Sequence, residues 1–301
     1  MASTVSRVLV GTCSWTDKTL VEEADWYPKK SMSAEERLRF YADHFPITEA
    51  DSTYYFPPTP QLCRSWAQRT PSNFTMNVKA YSLLTGHPTK PESLWRDIRE
   101  ELPKEVAAKR NVYAHHLDPD TLDEAWARFA DALKPLHTEG KLGAVLLQYP
   151  PWFTPKRANR EELELVRKRL PTLPVCVEFR APAWLEARDR DRTLDLLRDL
   201  DLALVVVDAP KVSKLRTVVA ATTDDLAVVR FHGRADDTWN ARTSTAAERF
   251  KYLYNRRQLK TWVPKLERLA GEAKKVHALM NNCYRDFGVQ NASDLQGLLD
   301  A

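Results

Sequence analysis

Short apolar runs alternate with longer charged stretches along the chain. The runs are VSRVLVGT (5–12), ITEAD (47–51), FTMNVKA (74–80), LGAVLLQ (142–148), PVCVEF (174–179), LALVVVD (202–208), LAVVRFH (226–232) and KVHALMNN (275–282). Their length and β-branched content predict buried strands. Helical patterning between them predicts helices over 33–44, 60–68, 121–137, 159–169, 185–200 and 256–270. The helix at 159–169 is expected to start from Asn159, with Glu161 and Glu162 in its first turn facing the positive end of the helix dipole. Strands alternating with helices give an α/β class with a parallel sheet. A closed, TIM-like (β/α)8 barrel, which takes about 250 residues plus insertions, fits this length better than an open doubly wound sheet. The connection at 209–225 is too short for a full helix, so the barrel is expected to be irregular between strands six and seven. No G-x-G-x-x-G follows the first strand, which argues against a dinucleotide fold.

No internal repeat or linker-like tract divides the sequence, so residues 1–301 are expected to form one barrel domain. Two long connections, 81–120 and 233–255, follow strand C-terminal ends. Insertions of this size are usually lids or disordered segments, and their Trp, Tyr and Pro content argues against disorder.

The strand ends carry the candidate chemistry. Side chains alternate faces, so Arg230 and His232 leave one face of the seventh strand together. Other strands finish the same way, in Glu49 and Asp51, Asn77 and Lys79, Gln148, Glu178 and Arg180, Asp208, and Asn281 and Asn282. Any one of these could be half of a buried ion pair. As a converging set at the C-terminal mouth they read as a site, because barrels place function there. Trp15, Trp152, Trp184 and Trp239 each fall near a strand end, and together suggest a rim on which a base or sugar ring could stack. Lys79, Arg180, Arg230 and Arg234 favour an anion, and Gly233 would let the backbone approach it.

Composition adds limits rather than chemistry. A net charge of +4 tolerates an anionic ligand without announcing nucleic acid. The four cysteines, at 13, 63, 176 and 283, show neither a C-x-x-C pair nor a zinc spacing. Cys13 at the mouth has no base beside it in sequence and reads as a small packed residue. The N-terminal residues contain no apolar signal-peptide core, and the longest apolar stretch, LALVVV, is too short to span a membrane. A cytoplasmic protein without membrane contact is expected.

Several ordered motifs resemble the YecE-like family, the domain of unknown function 72. They are GTCSW (11–15), TEADSTYYFPP (48–58), LLQYPPWF (146–153), VEFRAPAW (177–184), RFHGR (230–234), YLYN (252–255) and NN (281–282). The resemblance covers nearly the whole chain and implies a TIM-like barrel without implying an activity. The chain departs from the family pattern at Asp51, where Asn is commoner, at LTGH (84–87), where Thr and His are usually adjacent, and at Ala181, where a polar residue often follows Arg180.

Three readings follow. In the first, a hydrolase or lyase acts on a phosphorylated or nucleotide-like substrate. His232 is then the general acid or base, poised by an unperturbed pKa. Glu49, Glu178 and Asp208 are partner carboxylates, while Gln148, Asn281, Asn282, Trp15 and Trp239 bind alongside the basic residues. In the second, Glu49, Asp51, Glu178, Asp208 and His232 hold Mg or Mn, which ranks below metal-free chemistry because basic residues compete for the carboxylates. In the third, the Trp rim and RFKYLYNRR (249–257) grip single-stranded nucleic acid, the plainer alternative for that stretch being an amphipathic lid helix. The expected partner is thus an anionic small molecule or nucleic acid.

Overall fold

Each of the eight apolar runs contains a strand in a computed structural model of the chain, which describes residues 7–239, 241 and 246–301. The strands are β1 (Val8–Thr12), β2 (Ile47–Ala50), β3 (Thr75–Lys79), β4 (Leu142–Tyr149), β5 (Val175–Phe179), β6 (Ala203–Asp208), β7 (Leu226–Phe231) and β8 (Lys275–Met280). They pair in parallel and in sequence order, and β8 returns to β1 to close the barrel. Among the described residues no helix is long and apolar enough to cross a membrane.

Closure divides the apolar residues into two sets. Ala144, Leu146, Cys176, Val205, Val207 and Val228 fill the barrel interior, while the opposite faces of the strands pack on the surrounding helices. Parallel neighbours in register share a face, which makes the interior set traceable through the pairing. Val207 pairs with Arg230 and Val228 with His277, so all four point inward. At one place the pairing slips: Met76 matches Leu142 and Asn77 matches Ala144, leaving Gly143 as the extra residue. A Cβ there would come within 2.5 Å of the Asn77 amide oxygen, so glycine is needed at this bulge.

Helices Ala34–His44 and Pro60–Gln68 match expectation almost residue for residue, capped by Ser33 with Glu36 and by Thr59. The helix expected at 121–137 is longer, Pro119–Thr138, because Asp118 caps it and Pro119 suits the first turn. Three expectations need correction. The helix expected from Asn159 runs Arg157–Arg169 without a side-chain cap, and Asn159 donates back to the Thr154 carbonyl. The one expected from 185 begins only at Arg190, since Trp184 is drawn into the core and donates its indole N–H to the Phe153 carbonyl. The expected 256–270 helix is two, Arg256–Lys260 and Val263–Glu272, because Pro264 has no N–H and is confined to a first turn.

Between β6 and β7 there is a single 3-10 turn, Lys211–Ser213, and no α-helix, as the short connection demands. The 81–120 connection is folded: Thr89 and Val112 exchange backbone hydrogen bonds, and Leu83, Leu84, Leu94 and Ile98 are buried. Residues 240 and 242–245 of the second connection lie outside the described residues. No lid helix spans 249–257. Residues 251–255 are in neither helix nor strand, and the Asn291 side chain bonds both the N–H and the C=O of Tyr254 while Asn255 caps the next helix.

One close approach sets the barrel's tightest strand contact. A Cβ on Gly11 would lie 1.9 Å from the Ile47 carbonyl oxygen, and that neighbour is backbone. Gly11→Ala should therefore destabilise the chain by about 1–3 kcal/mol or more. A lowered urea midpoint checks this, and an unchanged midpoint would refute it.

Candidate functional site at the barrel mouth

Arg230 lies in the barrel interior with almost no solvent contact. Its Nη1 donates to Glu178 Oε2 at 2.6 Å and its Nη2 to Glu49 Oε1 at 2.7 Å, so one guanidinium bridges carboxylates from β2 and β5. Burial disfavours the charge, yet the surrounding acidic groups outweigh it and keep Arg230 protonated far above the usual range. Burial likewise pushes Glu178 up, but Arg180, Arg230 and the His232 bond hold it well below the usual carboxylate range. Glu178 Oε1 collects the rest of the network: Gln148 Nε2 at 2.9 Å, Arg180 Nε at 2.7 Å and His232 Nε2 at 3.1 Å.

The proton on His232 follows from its neighbours. Arg230 Nη2 also donates to Asn281 Oδ1 at 3.1 Å, which turns the Asn281 amide so that its Nδ2 donates to His232 Nδ1 at 2.7 Å. The ring's one proton therefore sits on Nε2, facing Glu178. Burial, with Arg180 and Arg230 adding repulsion, lowers the His232 pKa to about 3. The unperturbed pKa expected for this residue is thus corrected: His232 is a neutral imidazole with both nitrogens engaged.

Further expectations are corrected by which way side chains point. Asp208 follows inward-facing Val207 and so points outward, where it accepts from Arg234 at 2.7 and 2.9 Å and from the Trp262 indole at 2.9 Å. Asp208 and Arg234 form an ion pair behind the barrel wall rather than part of the mouth. Asn282 also faces away and holds Tyr252 and Asn291. Trp15 is only 6% exposed and packs edge-on against Trp66, and Trp184 stacks between Phe153 and Phe179. The rim retains two tryptophans, Trp152, which is 60% exposed, and half-buried Trp239. Cys13 is fully buried, and burial raises its thiol well above the ordinary value, as suits a packed residue.

Above the Arg230 layer sit two titratable groups with a different character. Lys79 ends β3, and its Nζ lies 4.4 Å from the Tyr54 ring centre. Asp51 follows β2, beside Lys79, since Ala50 pairs with Val78. Among the described residues, neither side chain makes a hydrogen bond or ion pair. Burial raises Asp51 to about 7, opposed by Lys79, while burial and the Arg230 charge lower Lys79 to about 8. Arg180 lies over Trp239, 5.3 Å from guanidinium to ring centre. On the other side of the mouth His87 packs edge-on between Tyr54 and Trp152, and burial lowers it to about 4.

The Glu49-x-Asp51 alternation signals that Asp51 faces inward, but its position beside Lys79 is not legible from the sequence, because it depends on the β2–β3 register. Nothing in the sequence marked Tyr54, which reaches Lys79 only because the chain turns in a 3-10 helix at Ser52–Tyr54. Among the described residues no three His, Cys, Asp or Glu side chains are grouped to hold one ion, and Glu49 and Glu178 are tied to Arg230. A surface hollow of about 500 Å³ opens away from this mouth, among Ala221, Asp224, Arg268 and Glu272, and gathers no inward-facing strand residues.

The model of the family described as "Protein of unknown function DUF72" matches residues 9–301. The chain belongs to the DUF72 family. This agrees with the YecE-like resemblance of its motifs. UPF0759 protein YunF of Bacillus subtilis is 28% identical over 97% of this DUF72 chain and 95% of its own length. A DUF72 family protein of Thermotoga maritima, solved by crystallography, shares 28% identity with a TM-score of 0.76, over 98% of this chain and 99% of its own. One from Enterococcus faecalis, at 24% identity and a TM-score of 0.78 over 98% of this chain and 96% of its own, shares the fold.

Two stability measurements test the site's electrostatics. Arg230→Met strands two buried carboxylates and should cost about 3–5 kcal/mol, part of which returns when Glu49→Gln and Glu178→Gln are added. An Arg230→Met protein as stable as the parent would refute the bridge. His277 points into the barrel like His232 and is also lowered to about 3 by burial. The unfolded chain protonates these histidines below about pH 6.5 while the folded chain does not, so their stabilisation is present above 6.5 and lost as pH falls toward 3. Asp51, raised in the folded state, contributes the opposite slope up to about pH 7. Between pH 6.5 and 5, His277→Gln should thus remove about 1.4 kcal/mol per pH unit of acid sensitivity, read from urea midpoints.

Proposed function

We propose that this chain is an enzyme acting on a small anionic substrate, phosphorylated or nucleotide-like, at the C-terminal mouth of the barrel. The observation that carries this reading is the contrast between the two layers. Below, Arg230 compensates Glu49 and Glu178 and makes a rigid floor. Above, Asp51 and Lys79 stand side by side without a hydrogen bond or ion pair among the described residues, and their pKa values are drawn together from opposite directions, to about 7 and about 8. A carboxyl and an amine so matched suit proton transfer near neutral pH. Arg180 commits its Nε to Glu178 and leaves its terminal nitrogens free of hydrogen bonds among the described residues, a fork suited to a phosphate or carboxylate. In this reading His232 orients Glu178 and exchanges no proton. A hydrolase and a lyase both fit such a pair.

Sulfate, doubly charged across the neutral range, tests the reading. Its affinity should fall roughly tenfold or more between pH 6 and 9, first as Asp51 ionises and then as Lys79 loses its proton. Asp51→Asn should abolish the lower step and Lys79→Met the upper. A flat profile in the parent protein would overturn the proposal. The alternative, a non-catalytic module for single-stranded nucleic acid, draws on the exposure of Tyr55 (57%), Phe56 (64%) and Trp152 (60%). It requires oligonucleotide affinity that falls steeply with salt, together with loss on Trp152→Ala.

A further inference from the structure

We propose that Lys79 is a covalent nucleophile whose Nζ condenses with the carbonyl carbon of an aldehyde or ketone substrate bearing an anionic group, forming an imine. The inference rests on the anion-accepting reading of the mouth for its substrate class, and on Lys79's surroundings for its chemistry.

A buried lysine normally finds acceptors, and the same chain shows what that looks like. Lys141 is almost fully buried, and its Nζ donates to the Ala67 carbonyl and to the Thr70 carbonyl and hydroxyl, closing the end of helix Pro60–Gln68. Lys79 is half-buried and has none of these bonds among the described residues. Its neighbours are the Tyr54 ring face, the Arg230 guanidinium below and Asp51 beside it. An amine that is desolvated and set next to a second cation loses its proton readily, and the free amine is the nucleophile. Lys79 thus lacks the set of acceptors that holds Lys141. The neighbouring histidines do not compete for the task. His232 has both nitrogens engaged, and His87 is hydrogen-bonded to Thr85 and packed between aromatic rings.

Atoms balance without a co-reactant. The Nζ lone pair forms the C–N bond while the carbonyl π electrons move to oxygen. The added nitrogen passes one proton to that oxygen, the carbinolamine hydroxyl leaves as water, protonated by the Asp51 carboxyl, and the iminium nitrogen returns its remaining proton to the Asp51 carboxylate. The sum is carbonyl plus amine giving imine plus water, with no change of oxidation state. Asp51 stays protonated up to about neutrality, which suits a donor to the leaving hydroxyl. Arg180, beside Trp239, is placed to hold the anionic end.

The test is borohydride trapping with a matched pair of probes, dihydroxyacetone phosphate and dihydroxyacetone, followed by peptide mass spectrometry. The reduced adduct should appear on Lys79 at least tenfold faster than on any other lysine, and the phosphorylated probe should label faster than the neutral one. Lys79→Arg keeps a cation but cannot form an imine. It should lose the adduct, and Asp51→Asn should slow labelling. Equal labelling of Lys79 by both probes would sustain the imine step and count against the anion-accepting reading. Labelling of Lys79 no faster than exposed lysines, with sulfate binding intact, would overturn the imine step and leave that reading standing.

Discussion

The bridge from Arg230 to Glu49 and Glu178 is the interaction on which the rest of the mouth depends. Three charges sit where water hardly reaches, and none could remain ionised there alone. Together they tie β2, β5 and β7 across the barrel, strands that are not neighbours in the sheet. The same guanidinium orients Asn281, which through His232 returns to Glu178. A loop of hydrogen bonds thus fixes the ring's tautomer without help from solvent, and a network closed in this way is rigid because moving one member leaves several unsatisfied.

The Arg230 charge is also felt one layer higher. Burial and the repulsion of Arg230 outweigh the pull of Glu49, Asp51 and Glu178 on the Lys79 ammonium. Burial then acts on both groups in the direction of neutrality, raising the acid and lowering the amine. Burial is the largest cause of both shifts, with the Arg230 charge adding to that of Lys79. Contrast Asp208, an equally acidic strand end. By pointing outward it meets Arg234 and the Trp262 indole, and becomes part of the wall.

The barrel was legible because its signal is local and repeated. Each strand reads from its own apolar run, and errors at one helix end, such as Asn159 or residue 185, do not propagate to the topology. The inward face was legible wherever alternation alone decides it, as for Glu49, Glu178, Arg230 and His232. Asp208 and Asn282 face outward because each follows an inward-facing residue, Val207 and Asn281. Trp15 and Trp184 were misread for a different reason: a tryptophan near a strand end has enough apolar area to be drawn under the rim, and only the neighbouring Trp66, Phe153 and Phe179 show that it was.

What the sequence by itself determined is the set of elements and their order, since hydrophobic periodicity and capping act over a few residues and need no distant partner. Which strand ends became ion pairs, which became packing and which were left without partners was decided by closure of the barrel. Only closure brings Glu49 within hydrogen-bond reach of a guanidinium 181 residues away. The strength of a charge interaction depends on distance and on exclusion of water, and neither is written along the chain.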